Sequence, residues 1–385
     1  MWIGACTSTI GTWMQIVAQS WLIYSLSNSS FLLGLNEVLG GLPIFLFSLI
    51  GGVAADRMER RHLLLFSQFV QMASALLLTA LVATHTVHVW HILALTFVAG
   101  MGQAFGGPAY SALIPTLVSK EDMPNAIALN SIQFNAAVMV GPALAGVTLA
   151  KLGNVWCFFL NAISFLAPII ALNMLHVRFL PEKTAESIAS SMQQGFRFIT
   201  RQGAMAALIV LAFAMTFLAV PMRTFLPVFA KNIFHKGAET YALFLSVMGS
   251  GSIAGSLAVA AMGNIRNKGR VALTTLITLG LGIAGLSLSH SIAFTCTMLF
   301  VSGASMMAVF ASVNSLVQLI VTNEMRGRVM SIYNFAFRGG MGMGNLAAGW
   351  LVPVFTAPMV LAVNGFVLAA LGLYFLFFQR RVAAL

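Results

Sequence analysis

The chain has 385 residues, of which 59% are hydrophobic and 8% charged, and its mean hydropathy is +0.93. A water-soluble domain carries about 25% charged residues, so this chain lacks the polar surface to be one. Its net charge of +11 does not point to nucleic acid. The basic residues sit in short clusters between long apolar runs, and no basic helix interleaves stacking aromatics. What remains is an all-α polytopic membrane protein with the lipid bilayer as its solvent.

In chain order, hydropathy with Gly, Pro and charge punctuation predicts about twelve spans. The first six are 3–25, 31–55, 62–84, 89–117, 125–150 and 155–176. The second six are 204–230, 240–262, 271–289, 292–321, 328–353 and 359–378. Most reach or exceed the roughly 20 residues a helix needs to cross a bilayer. A cleavable signal peptide is not expected, since a membrane-length segment starts at once without a basic leader. His85, His88 and His91 mark a short turn between spans 3 and 4, where their spacing suits a loop better than a metal site. Cys6, Cys157 and Cys296 each fall inside an apolar run and read as small buried residues, without disulfide or zinc spacing. Neither a metal nor any other cofactor is expected.

The longest polar stretch divides a six-helix half, residues 1–176, from a second half, residues 204–385. The linker between them, 177–203, places Ile188, Met192, Phe196 and Ile199 at helical spacing near Arg197 and Arg201. This predicts an amphipathic helix on the cytoplasmic surface. With the N-terminus inside, fifteen basic residues lie in cytoplasmic segments against three (Lys151, Lys231 and Lys236) outside. The imbalance predicts that both termini are cytoplasmic.

The halves repeat. Shifting residues 98–149 forward by 203 brings Gly100 onto Gly303, Leu113 onto Leu316, Glu121 onto Glu324, Gly141 onto Gly344 and Gly146 onto Gly349. Spans 4 and 5 therefore correspond to spans 10 and 11. Duplicated six-helix halves point to a transporter that rocks around a central site between the repeats.

The stretch Gly51–Arg61 holds an acid pair and three arginines between two spans. Its pattern, Gly52-x3-Asp56-Arg57-x2-Arg60-Arg61, resembles the loop between helices 2 and 3 of major facilitator superfamily transporters. Further stretches carry the likeness across the whole chain: GTWMQIVAQSWLIYSL from Gly11, GPALAG from Gly141, and EMRGRVMSIYNFAFRGGMGMG from Glu324. Together they look like the bacterial branch that includes the enterobactin exporter and macrolide-efflux proteins. That resemblance implies the major facilitator fold, with two pseudo-symmetric six-helix halves, and proton-driven export of a small molecule in the bacterial inner membrane. Members of the branch carry a basic, aromatic stretch before the Trp-Ile of span 1, so a native start upstream of Met1 is one expectation; a monomer is another.

Site expectations follow. A carboxylate at a helix C-terminus is disfavoured by that helix's dipole and seeks a cation. The resemblance supplies one at the start of span 11, where Glu324, Arg326 and Arg328 lie. Gly52, Asp56, Arg57, Arg60 and Arg61 would form the other half of this conformational gate. The second-half counterpart, Met262–Arg270, lacks the acid. In span 5, Gly141, Pro142 and Gly146 resemble the GPxxG of proton-coupled exporters and serve helix bending and packing, with Gly344 and Gly349 as their repeats. The glycines that usually precede this motif are absent. Charges inside spans are costly and face a cavity or a partner, which makes Glu37 the candidate proton carrier and Arg223 and Arg338 cavity candidates. Gln15, Gln19, Gln103, Gln133, Asn135 and Asn314 are further cavity candidates. No GxxxxGK[ST] segment exists for ATP, and no HExxH or GxSxG segment for an enzyme. An importer or facilitator, or a non-transporting sensor on the same fold, are the other functions considered.

Overall fold

Inside a bilayer every backbone N–H and C=O must find a partner within its own segment, so apolar runs of this length become helices. The structure is a computed structural model describing residues 1–119, 121–175, 188–262, 267–322, 325–379 and 381–383, and it is helical with no strand among them. Helix α1 spans Trp2–Ser27, α2 Ser30–Arg57, α3 Arg60–Ala83, α4 Val89–Leu117 and α5 Met123–Lys151. The sixth span is two pieces, α6 (Asn154–Ser164) and α7 (Leu166–Asn173). The break falls at Phe165 because Pro168 has no N–H for the Ser164 carbonyl and its ring crowds that oxygen. Helix α8 is Ile188–Arg201, the predicted amphipathic helix; residues 177–187 of the expected linker lie outside the described residues.

Helix α9 runs Gly203–Thr224, followed by α10 (Leu226–Val228) and a π-turn, Phe229–Ile233. Pro221 and Pro227 each remove a donor here, and an irregular segment around Arg223 results. Helices α11 (Ala238–Met262), α12 (Lys268–Ser287), α13 (Ile292–Ile320), α14 (Arg326–Phe355) and α15 (Ala357–Phe377) complete the chain. Twelve membrane-length segments thus match the predicted spans to within a few residues. Ten of them are long and apolar enough to cross a membrane by length and composition. The other two, α1 and α14, have 26 and 30 residues and sufficient length, but are less apolar.

The chain divides into two compact units. The first is Met1–Thr184 with Gly237–Leu243, the second Ala185–Lys236 with Phe244–Leu385. In the first unit α1 packs on α5 and α6, α3 on α4 and α6, and α2 on α4. In the second, α9 packs on α14 and α15, and α12 on α13 and α15, while α11 meets α13 through Gly251, Gly255 and Gly303. The same helix pairing occurs twice. The repeated glycines explain how. A methyl on Gly100 would stand 2.7 Å from the Gly40 carbonyl of α2, and one on Gly303 would collide with the Met248 carbonyl of α11. Likewise Gly141 lies against the Ile10 carbonyl of α1, where a methyl would stand at 2.9 Å, and Gly344 against the Phe217 carbonyl of α9. Between apolar helices in lipid, association depends on such close approach. Helix α8 packs on α14 and α9, burying Ile199 and leaving Phe196 exposed.

Candidate functional site

The polar side chains predicted for a cavity divide sharply by what they touch. On α1, Gln15 Oε1 accepts from Asn161 Nδ2 of α6 at 2.6 Å. Gln19 is buried; its Nε2 donates to Asn36 Oδ1 of α2 at 2.8 Å and to the Thr96 hydroxyl of α4. Thr96 in turn donates to Asn36 at 2.9 Å. Buried Gln133 of α5 donates to Thr9 Oγ1 of α1 at 2.9 Å and accepts from Tyr110 of α4 at 3.4 Å. These glutamines therefore join helices within the first unit. Glu37 follows Asn36 in this network and is half-buried, whereas Gln103 on α4 is exposed.

The second unit is different. Along α14, Ser331, Asn334 and Arg338 are all exposed and fall on one helical face at i, i+3 and i+7. Arg338 lies twelve residues into the helix, roughly 18 Å from its start. Among the described residues it makes no hydrogen bond or ion pair. A guanidinium at that depth is too costly to point at lipid. Beside it, Phe310 of α13 meets Phe337 of α14 with ring centroids 5.1 Å apart. Asn314, one turn along α13 from Phe310, accepts from Gln318 at 2.6 Å. Arg223 is half-buried in the last turn of α9.

At the other end of the first unit, Asp56 and Arg57 close α2. The side chains of Asp56, Arg57 and Asn135 lie outside the described ones, as does Glu324 altogether. Arg60 Nη1 donates to the Ala112 carbonyl of α4 at 2.7 Å. Arg61 Nη2 donates to the Asn173 carbonyl at 3.1 Å, at the end of α7. Both arginines thus tie α3 to the ends of neighbouring helices in their own unit, a role the sequence pattern did not disclose. Gly52 has open space where a Cβ would go, while a methyl on neighbouring Gly51 would strike the Ala104 carbonyl of α4. The close-approach glycine near this end of α2 is Gly51. Arg326 is exposed and Arg328 half-buried in the first turn of α14. Gly141, Pro142 and Gly349 are buried, and Gly146 lies against Ala242.

The three histidines do not gather around a metal, and no group of metal-binding side chains exists among the described residues. Instead His91 Nδ1 accepts from the His88 N–H at 3.0 Å, satisfying one of the orphan donors at the start of α4. The three cysteines are free.

Two units of one helix pairing, built from membrane-length helices, define a transporter fold of the major facilitator type. Solved structures agree on that fold: a D-xylose–proton symporter superposes with a TM-score of 0.77 at 13% identity, covering 100% of this chain and 98% of that one. A bacterial homologue of the iron transporter ferroportin gives 0.73 at 14%, covering 97% and 96%. Residues 1–384 match the family described as transmembrane secretion effector, and the chain belongs to that family of major facilitator transporters. Among its relatives is the multidrug efflux pump Tap of Mycolicibacterium fortuitum, 23% identical over 355 residues, covering 90% of this chain and 86% of Tap. The enterobactin exporter EntS of Citrobacter koseri is 25% identical over 363 residues, covering 91% and 84%. Macrolide efflux protein A of Streptococcus pyogenes is 24% identical over 299 residues, covering 76% and 71%. The chain is accordingly a multi-pass membrane transporter, and neither its family nor these relatives are enzymes.

Proposed function

We propose that this transporter exports a small amphiphilic molecule across a bacterial inner membrane, driven by the proton gradient, by alternating access between its two halves. The observation that carries a transport role is the exposed polar face of α14, with Arg338 unengaged deep inside a helix of membrane length. Export as the direction is supported by the efflux pumps and exporters among the relatives. Proton exchange draws on the GPALAG run of span 5 and on Glu37, the acid within α2. Asp56 and the start of α14 with Arg326 and Arg328 form the cytoplasmic gate in this scheme. The charge imbalance supports a cytoplasmic location for both termini.

An accumulation screen in an efflux-deficient host, spanning antibiotics and siderophores, tests export. Expression should lower the cellular content of at least one compound, and a protonophore should restore it. A screen in which expression raises uptake instead would favour an importer. Glu37→Gln should uncouple flux from the pH gradient; full coupled flux in that variant removes Glu37 from the proton path.

A further inference from the structure

Arg338 has a companion that the sequence reading passed over. Asn345 lies seven residues further along α14, two helical turns and about 10 Å away, within roughly 20° of the same face. Arg338 is exposed, yet Asn345 is fully buried, and neither its amide nitrogen nor its amide oxygen has a partner. A buried amide left unpaired is costly, and an apolar residue of the same shape would remove that cost. Structural duties nearby are already assigned. Pro221 frees the Phe217 carbonyl, which Gly344 meets by close approach. The next carbonyl, of Leu218, accepts from Asn364 Nδ2 of α15 at 3.2 Å. Asn345 takes part in neither. The apolar exposed side of the helix, marked by Met343, Trp350 and Val354, is turned roughly 140–180° away from Asn345. Phe337, about 100° around the helix from Arg338, meets Phe310 of α13 and stacks on buried Tyr333 at 6.2 Å.

We propose that this face of α14 is a two-point binding track, in which Arg338 takes an anionic group and Asn345 takes a hydrogen-bonding group about 10 Å along the same molecule. Its preferred cargo is an aromatic amphiphile with a carboxylate or similar anion at one end and an amide- or hydroxyl-like group toward the other. Phe310 and Phe337 flank the apolar body. Asn345 is buried and unpaired among the described residues, and its partner arrives with the cargo. This rests on the transporter function proposed above.

The test uses the full chain in detergent and three naphthalene-cored probes. One carries a carboxylate with a terminal amide about 10 Å away. The second has the carboxylate as its methyl ester, and the third has the amide replaced by methyl. Wild type should bind the first at least about 10-fold more tightly than either of the others. Arg338→Gln should erase only the preference for carboxylate over ester. Asn345→Leu should erase only the preference for amide over methyl, and should raise Tm, because it removes an unpaired buried amide. If it lowers Tm and leaves both preferences intact, Asn345 is a structural residue and the track is wrong. Should Asn345→Leu not fold, Asn345→Ala is read in its place, and failure of both to fold overturns the assignment. Equal binding of all three probes, or of none, also overturns it, while flux of any other compound in the accumulation screen would leave the transporter function standing.

Discussion

The pair α1–α5 and its repeat α9–α14 are built on one plan and loaded differently. In both, a glycine of the later helix lies against a carbonyl of the earlier one, Gly141 on Ile10 and Gly344 on Phe217. The polar side chains around them part ways. In the first unit Gln15, Gln19 and Gln133 are each hydrogen-bonded to a neighbouring helix. In the second, among the described residues, Arg338 has no partner and Asn345 has none for either amide atom. The repeat thus conserves how helices touch and leaves free what their polar faces do. A hydrogen bond spent on a neighbouring helix rigidifies a unit, whereas an unspent one can be offered to cargo.

Substitutions that act on the shared plan should have the largest effects. Gly344→Leu drives a branched side chain into the Phe217 backbone, which cannot retreat within a helix. We expect little folded protein in the membrane, a cost at or above the ~1–3 kcal/mol of overpacking. Immunoblots of membrane fractions would show it, and wild-type levels would mean that α9 and α14 are not held at this distance. Gly141→Leu should be milder, because the Ile10 carbonyl there stands 2.9 Å from the added Cβ, farther than the Phe217 carbonyl stands from that of Gly344.

Asp56→Asn comes next, and it makes the first copy resemble the second. The offset that superposes Gly40 on Met248 carries Asp56 onto Asn264, a neutral residue. We expect flux to fall by about 10-fold, equivalent to ~1.4 kcal/mol at the gate, at an unchanged protein level. Undiminished flux would show that neither copy needs an acid. Smaller again is Gly51→Ala, whose methyl meets the Ala104 carbonyl; a loss of about 1–2 kcal/mol in thermal stability is expected. The smallest effect belongs to Gly52→Ala. Nothing lies within 4 Å of that Cβ, and replacing a helical glycine by alanine gains up to about 1 kcal/mol. If Gly52→Ala destabilises more than Gly51→Ala, the loop glycines have been assigned the wrong way round.

Length, punctuation and repeat were legible in the sequence because they rest on local chemistry. The 203-residue shift finds Gly100 with Gly303 and Gly141 with Gly344, whereas the break near Pro168 inside the span predicted as 155–176 was not anticipated. What each polar residue does was much less legible. In water a helix advertises its buried face by its period, but in lipid both faces are apolar and the signal fades. Gln133 and Asn345 look alike in sequence; only the positions of Thr9 and Tyr110 make the first a brace. Arg60 and Arg61 read as parts of a gate, and their bonds to the Ala112 and Asn173 carbonyls depend on where α4 and α7 end. The fully buried state of Asn345 likewise belongs to its neighbours and leaves no mark in its own segment.

The most direct test of this division is to measure flux and thermal stability together in Arg338→Gln and Gln133→Leu, at equal protein levels in everted vesicles, using a compound selected by the accumulation screen. The account predicts that Arg338→Gln loses at least about 10-fold in flux with its Tm unchanged. Gln133→Leu should lose stability, about 1 kcal/mol for its hydrogen bonds, and keep most of its flux. Full flux in Arg338→Gln, or a loss of flux that appears only together with a loss of stability, would contradict it.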